Sequence, residues 1–443
     1  MDFARAKRFL ISTIVACCAF TPLVRAQSPP GTAQQGAVRI DLKDALARAR
    51  DNSQQLQSAT IDVNLAREDR TQAKAALLPS LNYFNQYIYT QGNGTESGIF
   101  VANDGVHIYN SQAQVHQELF SPERLADYRR TIAAQSLAAA KRDIVERGLV
   151  ATVVQNYYAA VAAQRRSVNT QRTLDEARSF LDITLKLEKG GEVAHADVLK
   201  AQLVLQQRQR DMQDAGLAVD KARIALAVLL FPDYRLDFEL VDDLGAIGPL
   251  PAYNEVETLA REKSPELRAA EESVRQEEFH IAIARAAYLP TLSFDYFFGI
   301  NARQFAVHDE EGLNRLGSSA QATLNIPVWN WWSPKSKVRQ ADMRRQQAQL
   351  ELELSRRQLI ANLHALYLEA QAALAQLDSL RRSMDDSAES LRLTTLRYEA
   401  GEVTVLEVVD AQSTLVQARN AYDDGLSRYR LALATIQTLT GTI

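Results

Sequence analysis

The protein has 443 residues, a formal net charge of −4 and two cysteines. This mildly acidic chain does not concentrate lysine and arginine against phosphate, which excludes a nucleic-acid-binding protein. Both cysteines, Cys17 and Cys18, lie within the first 26 residues, a segment expected to be removed, so a fold held by disulfides is not expected.

Residues 1–26 have the pattern of a secretory signal peptide. Three basic residues precede the apolar run Phe9–Phe20, which is too short to span a bilayer. Val24-Arg25-Ala26 then offers small residues at the positions that a signal peptidase reads. Removal of this segment would shift the net charge to about −7 and remove both cysteines. The alternative is lipoprotein cleavage that leaves an acylated Cys17 as the first residue.

Four short motifs occur twice, with offsets between 210 and 212 residues. The pairs are Ser53–Leu56 with Ser264–Leu267, Leu78–Leu81 with Leu289–Leu292, Ser121-Pro122 with Ser333-Pro334, and Gly191–Val193 with Gly401–Val403. Chance matches would scatter, so the nearly constant offset predicts an internally duplicated protomer.

The duplication sets the predicted boundaries along the chain. After the signal peptide, an N-terminal linker occupies 27–40 and a first repeat occupies 41–230. Proline and glycine are frequent in 231–252, which is therefore predicted as the linker between the repeats. The second repeat occupies 253–441.

Each half is predicted to contain a helix, two strands, a very long helix, a turn and a final helix. In the first half the opening helix runs to about Leu78, because Pro79 stops it. Two strand-like stretches follow at 81–89 and 106–119, joined by a glycine-rich loop. Alternation is clearest in the second half, where the apolar sides are Leu292, Phe294, Tyr296, Phe298 and Ile300, then Leu316, Ala320, Ala322, Leu324, Ile326 and Val328.

Apolar and polar residues alternate over about ten residues, which is the length of a membrane-spanning strand. An antiparallel hairpin over a soluble core is the alternative. Four strands do not close a barrel, and open edges are not tolerated in lipid. Two, three or four copies would give about 8, 12 or 16 strands.

Ser121-Pro122 and Ser333-Pro334 are predicted helix starts, with serine as the N-cap and proline at the first helical position. From each start the chain stays helix-compatible to Gly190 or Gly401, which makes a rod about 100 Å long. The second rod carries a heptad-like seam that requires a partner helix. Its members are Leu359, Leu363, Leu366, Ala370, Ala373, Leu377, Leu380, Met384, Ser387, Leu391, Thr394 and Tyr398. The less regular first rod has Val150, Val154, Tyr157, Val161, Val168, Leu174, Leu181 and Leu185.

The duplicated layout, with Leu-Pro-Ser/Thr-Leu before the strands, resembles the TolC-like outer membrane efflux protein (outer membrane factor) family over about residues 41–441. The stretch Arg397–Val403, continued by Val408–Gln412 and Leu415, is similar to that family's signature. The resemblance implies a mainly α protein with transmembrane β structure, assembled as a homotrimer with a 12-stranded β-barrel and a 12-helix α-barrel. It implies a non-enzymatic exit duct in the outer membrane, in contact with its lipid, without cofactor. The implied partners are a periplasmic adaptor (membrane fusion protein) and an inner-membrane pump.

The two helical tips are the adaptor-docking candidates that the resemblance implies: Gly190, Gly191, Glu192, Val193, Gly401, Glu402 and Val403. Ordinary turn chemistry, with glycine at a helix end, accounts for the same residues. The resemblance also implies pore-gate candidates, namely Asp197, Tyr398, Glu407 and Asp410. The arginine of the family's charge lock is replaced by Val403, so we expect closure by packing or by Tyr398 alone. Glu407 has a competing interpretation, because it completes a capping box with Thr404.

Aromatic residues of the strands, with Trp329, Trp331 and Trp332 after them, are predicted to form a belt at the membrane interface. Strand propensity and core packing are the alternative explanation. His195 and Asp197 have no third ligand nearby, so no metal site is expected, and the sequence contains no catalytic motif in a usable context. The alternative function is a periplasmic coiled-coil scaffold or adaptor without a pore.

Overall fold

A computed structural model describes residues 38–90, 106–235, 237–302, 306–308, 311–312 and 314–442. The predicted signal peptide, most of the N-terminal linker, Cys17 and the glycine-rich loop of the first half lie outside the described residues. The chain divides into two compact units, Met1–Arg39 with Asp237–Glu239 and Ile40–Leu236 with Leu240–Ile443. In the described part of the small unit, Arg39 and Glu239 form an exposed ion pair of 3.4 Å.

The elements of the first half follow the predicted order, with one extra break near the start. They are β1 (Val38–Ile40), α1 (Leu42–Asn52), α2 (Gln54–Ala75), β2 (Ser80–Thr90), β3 (Val106–Phe120), α3 (Pro122–Gly190) and α4 (His195–Leu230). Those of the second half are β4 (Phe238–Leu240), α5 (Tyr253–Lys263), α6 (Pro265–Ala286), β5 (Thr291–Ala302), β6 (Leu316–Asn325), α7 (Ser333–Glu399) and α8 (Val405–Thr440). β1 pairs with β4 in a two-stranded sheet.

Three of the predicted boundaries are wrong. The opening helix is two helices, because the Ser53 side chain accepts a hydrogen bond from the Leu56 amide and starts α2 afresh. β6 ends at Asn325 instead of reaching Val328, two residues before Pro327, which has no N–H for a strand ladder. Ser333 is the first helical residue of α7, and the N-cap is Trp332, which makes no side-chain capping bond.

The larger sheet is antiparallel in the order β2-β3-β5-β6, so β2 and β6 are its edges. The register places Tyr83 opposite Ala113, Ala113 opposite Phe298, and Phe298 opposite Ser318. Since side chains alternate between faces, this side also carries the apolar residues predicted for β5 and β6. Among the described helices, none combines the length and apolarity that crossing a bilayer requires.

The opposite face of this sheet is polar. His116 lies opposite Asp295, which lies opposite Gln321. The His116 Nδ1 and Asp295 Oδ1 atoms are 2.7 Å apart, and the Gln114 amide donates to the same oxygen at 3.1 Å. The sheet is therefore most clearly amphipathic at β5 and β6, whereas Asn85 and Ser111 form a hydrogen bond on the otherwise apolar side of β2 and β3.

The two long helices contain 69 and 67 residues, which gives each a length of about 100 Å. α3 packs against α4, α7 packs against α8, and α3 also contacts α8. Every residue of the seam predicted for the second rod is buried or half-buried, so that prediction is confirmed. In the first rod the predicted Val168 is exposed, whereas the other predicted positions are at least half-buried.

The segment predicted as the linker between the repeats is bound along the long helices. The Tyr157 hydroxyl donates to the Val241 carbonyl at 2.7 Å, and the Tyr429 hydroxyl donates to the Gly248 carbonyl at 2.5 Å. Ion pairs add to these bonds: Arg165 with Asp242 and Asp423, and Arg430 with Asp243. Burial beside Asp243 raises the pKa of Tyr158 to about 12. This segment therefore ties α3 of the first half to α8 of the second.

Gly299 in β5 is required by the close approach of β3. A Cβ at this position would clash with the Ser111 carbonyl oxygen and the Gln112 Cα, which are backbone atoms that cannot swing aside. We expect Gly299→Ala to destabilise the sheet by about 1–3 kcal/mol, the usual cost of overpacking. Thermal unfolding of the detergent-extracted protein measures the loss.

Gly317 in β6 is the matched control, because it is the register partner of Gly299 and a Cβ there would meet nothing within 4 Å. Gly317→Ala should leave the unfolding temperature unchanged. Equal losses for the two variants would show that strand entropy, and not the contact with β3, accounts for the effect.

Candidate functional site

The two turns that join the long helices to their partners have the same geometry. Gly191 has φ of 77°, and the amide of Glu192 donates to the Leu187 carbonyl at 2.9 Å. Gly401 has φ of 74°, and the amide of Glu402 donates to the Arg397 carbonyl at 2.9 Å. Left-handed glycine and this 6→1 bond form the Schellman motif that ends many helices. The turn chemistry expected from the sequence is confirmed at both tips.

The tip residues divide into an exposed group and a packed group. Gly190, Gly191, Glu192, Gly401 and Glu402 are exposed. Val193 and Val403 are half-buried and pack against a hydrophobic cluster beneath the tips. Of the predicted docking residues, the glutamates therefore face solvent, while the valines hold the turns onto the helices.

That cluster, called the tip cluster below, joins all four long helices. Its buried members are Phe180 from α3, Ala201 from α4, Leu391 and Tyr398 from α7, and Val405, Val408 and Leu415 from α8. The rings of Phe180 and Tyr398 have centroids 5.3 Å apart and are tilted by 55°. Packing between these rings connects the α3–α4 hairpin to the α7–α8 hairpin.

Tyr398 is buried to 2% exposure, and its hydroxyl forms no hydrogen bond of ordinary geometry among the described residues, although Thr184 of α3 lies beside it. Burial raises the pKa of Tyr398, the Thr184 side chain beside it opposes part of this rise, and the negative charge of Asp197 adds to it. A buried hydroxyl without a partner is unfavourable, so the stabilising part of this side chain is its ring.

The three acidic gate candidates lie in the first turns of α4 and α8. Asp197 is half-buried, whereas Glu407 and Asp410 are exposed. The Glu407 carboxylate accepts a hydrogen bond of 3.4 Å from the Thr404 amide, which supports its capping role. The carboxylate of Asp410 has no partner in the described part of the chain. Within one chain the structure therefore does not bring the Tyr398 hydroxyl and these acids into hydrogen-bond contact.

Sequence reasoning missed two features of this region. Phe180 was not singled out, although an aromatic residue ten positions before a helix end is visible in the sequence. Exposed leucines also surround the tips: Leu199 and Leu203 on α4, Leu396 on α7 and Leu406 on α8. These leucines lie outside the heptad seam. A simple helical hairpin would carry polar residues at these positions, so the presence of leucine there was the sequence signal for this exposed apolar surface.

His195 is paired with Glu188, with Nδ1 and Oε1 2.7 Å apart across the first tip. Among the described residues no group of three or more histidine, cysteine, aspartate or glutamate side chains could hold a metal ion. The tips therefore consist of a packed hydrophobic cluster and exposed charged side chains.

Very long paired helices attached to a four-stranded sheet are a fold found among solved structures. The chain superposes on the outer membrane protein VceC from Vibrio cholerae with a TM-score of 0.79 and 17% identity, over 90% of this chain and 96% of that one.

The chain belongs to the outer membrane efflux protein family, whose sequence profile matches residues 45–230 and again 257–442. Among its relatives is the alkaline protease secretion protein AprF of Pseudomonas aeruginosa, 24% identical over 93% of this chain and 86% of the relative. Another is the outer membrane protein TolC of Escherichia coli, 22% identical over 91% and 82%. The resemblance stated from the sequence is confirmed.

The chain is therefore an outer-membrane exit duct of an efflux or secretion system, with its helical part in the periplasm. The alternative of a periplasmic scaffold or adaptor without a pore has no support. Members of this family are channels rather than enzymes.

Substitution of Tyr398 separates packing from hydroxyl chemistry at the tips. We expect Tyr398→Phe to leave the free energy of unfolding unchanged or slightly raised, because the lost hydroxyl has no partner. Tyr398→Ala should cost about 3–5 kcal/mol, as for other large aromatic truncations. Denaturant unfolding measures both. A Phe variant as unstable as the Ala variant would contradict the packing role of the ring.

Proposed function

We propose that three copies of this chain assemble into a passive duct that catalyses nothing. Twelve strands would form a β-barrel in the outer membrane, and 12 long helical segments would continue it as an α-barrel through the periplasm. The observation that carries the proposal is the four-stranded sheet, which has one apolar face, one polar face and two open edges.

The two open edges of this sheet need hydrogen-bond partners outside it. β2 and β6 contain 11 and 10 residues, and along each edge the backbone groups that point outward need partners. In lipid each unpaired group costs several kcal/mol, so β6 of one copy must pair with β2 of the next. The pattern allows about 8, 12 or 16 strands. The family resemblance implies 12, which requires three copies.

The helical part supports assembly independently. Leucines of α4 and α7 are exposed in a single chain, including Leu203 at 65% and Leu350 at 71%. Burial of such a side chain contributes about 1.5–3 kcal/mol. A ring of copies that places α4 of one chain beside α7 of the next would bury these leucines.

The same order of elements in the two halves supports their description as structural repeats at 41–230 and 253–441. Each repeat then contributes one helical tip to the periplasmic end of the duct. We propose that Gly190, Gly191, Glu192, Gly401 and Glu402 form the surface that docks a periplasmic adaptor and, through it, an inner-membrane pump. The half-buried Val193 and Val403 hold these turns in place.

For the gate, we propose that closure rests on the tip cluster. Packing of Tyr398 against Phe180 holds the two hairpins together in each copy. Asp197 and Asp410 would form acidic rings around the threefold axis, and such rings favour cations. Glu407 acts as a helix cap in this proposal.

The native mass of the protein extracted from outer membranes in detergent tests the assembly. We expect three copies, and we expect Leu203→Glu to lower the trimeric fraction because a charge would be buried between subunits. Gln209→Glu is the control, since it adds the same charge to an exposed position on another side of α4. A trimer that tolerates Leu203→Glu would place the subunit contact elsewhere, and a wild-type monomer would refute the duct.

Ion selectivity in planar bilayers tests the gate. We expect Asp410→Asn to reduce the preference for cations, because its carboxylate is exposed and without a partner. Glu407→Gln should leave selectivity nearly unchanged, since glutamine keeps the capping bond. Equal effects of the two substitutions would contradict the different roles assigned to them.

A further inference from the structure

The junction between β6 and α7 carries a cluster of three exposed tryptophans. Trp329, Trp331 and Trp332 are 61, 82 and 67% exposed. The Trp329 ring lies 5.9 Å from that of Trp331 and 5.8 Å from that of Trp332. Contiguous exposed aromatic surface of this kind marks an interaction site.

The backbone of this junction adopts a conformation that bulky residues rarely take. Trp331 and Trp332 have φ of 48° and 63°, in the left-handed region. Among the described residues they are the only non-glycine residues with positive φ. Such positions persist where the surrounding structure or a function requires them.

The corresponding junction between β3 and α3 has an ordinary helix N-cap. Ser121 is extended, its hydroxyl caps the Arg124 amide, and Glu123 lies in the first turn. At the start of α7 the cap makes no side-chain bond, and the first turn contains no acid. The second junction therefore departs from local helix preferences that the first one follows.

Positive charge accompanies the tryptophans. Lys335, Lys337 and Arg339 are exposed within the first two turns of α7, where the helix dipole disfavours cations. No carboxylate of the described chain forms an ion pair with them. The Lys335 Nζ lies 5.4 Å from the centroid of the Trp332 ring. These six residues together are called the indole–lysine patch.

We propose that the indole–lysine patch binds the anionic phospholipid headgroups of the periplasmic leaflet of the outer membrane. Indole rings prefer the boundary between hydrocarbon and water, and lysine and arginine attract anionic lipid surfaces. The patch is continuous with exposed apolar residues at the end of the sheet, Leu324, Ile326 and Val328, the last being 88% exposed. Lipid is therefore the occupant that matches both parts of the patch.

The inference rests on the proposed function in one respect, which is that the sheet lies in the outer membrane. Under that arrangement each subunit places one patch at the level where the barrel meets the periplasmic helices. Phosphate bound there would supply the negative charge that the first turn of α7 lacks. Three patches would fix the depth of the duct in the membrane.

Native mass spectrometry of the full-length, detergent-extracted protein tests the inference, with phosphatidylglycerol and phosphatidylcholine added separately. The wild type should retain several-fold more phosphatidylglycerol than phosphatidylcholine. Lys335→Gln/Lys337→Gln/Arg339→Gln should abolish this preference. Arg129→Gln, an exposed cation near the start of α3, is the matched control and should retain it.

A second variant tests the indoles without altering the backbone. Asparagine tolerates the left-handed conformation, so Trp331→Asn/Trp332→Asn should keep the junction folded while removing two rings. We expect retention of both lipids to fall, with the preference for phosphatidylglycerol kept.

Two outcomes would overturn the inference. One is undiminished phosphatidylglycerol preference in the triple variant, and the other is dissociation of that variant into single chains, which would make the patch a contact between copies. The same spectra report the mass of the wild-type assembly, so failure of the trimer is seen separately from failure of lipid binding.

Discussion

The open edges of β2 and β6 are the constraint on which the rest of this molecule depends. A four-stranded sheet with one apolar and one polar face satisfies only its two inner strands, and lipid offers no water to the outer ones. In the proposed assembly, pairing between copies satisfies the backbone groups of these edges. Because the long helices follow the strands directly in the chain, a ring of strands in that assembly would also bring the helices into a ring.

The contacts that stabilise the protein differ along its length. In the sheet, the main contact is close packing between strand backbones, as the approach of Ser111 to Gly299 shows. In the middle of the long helices, the segment after β4 ties α3 to α8 through Arg165, Asp242 and Asp423. At the tips, the ring of Tyr398 joins the two hairpins through apolar contacts with the tip cluster.

Much of the local structure could be read from the sequence, because local rules decide it. Ser121-Pro122 starts α3, glycine ends both long helices, and the heptad seam of α7 is buried as its spacing predicts. The errors occur where a competing interaction is stronger than the pattern. Ser53 starts a new helix inside a helical stretch, and Trp332 displaces Ser333 from the cap position. Tyr398 lies near the tip, as its place before Gly401 indicates, and its role in a gate stays a prediction.

The sequence by itself determined the duplicated order of elements, the lengths of the rods, the two-residue period of the strands and the chemistry of the tip turns. These depend on residues near one another in the chain. Tertiary structure alone decided that β3 pairs with β5 across the two halves, that Phe180 meets Tyr398, and that the predicted linker is bound along α3 and α8. Such contacts join residues far apart in sequence, and no local preference specifies them. They follow from which apolar faces and polar groups remain unsatisfied once the local elements have formed.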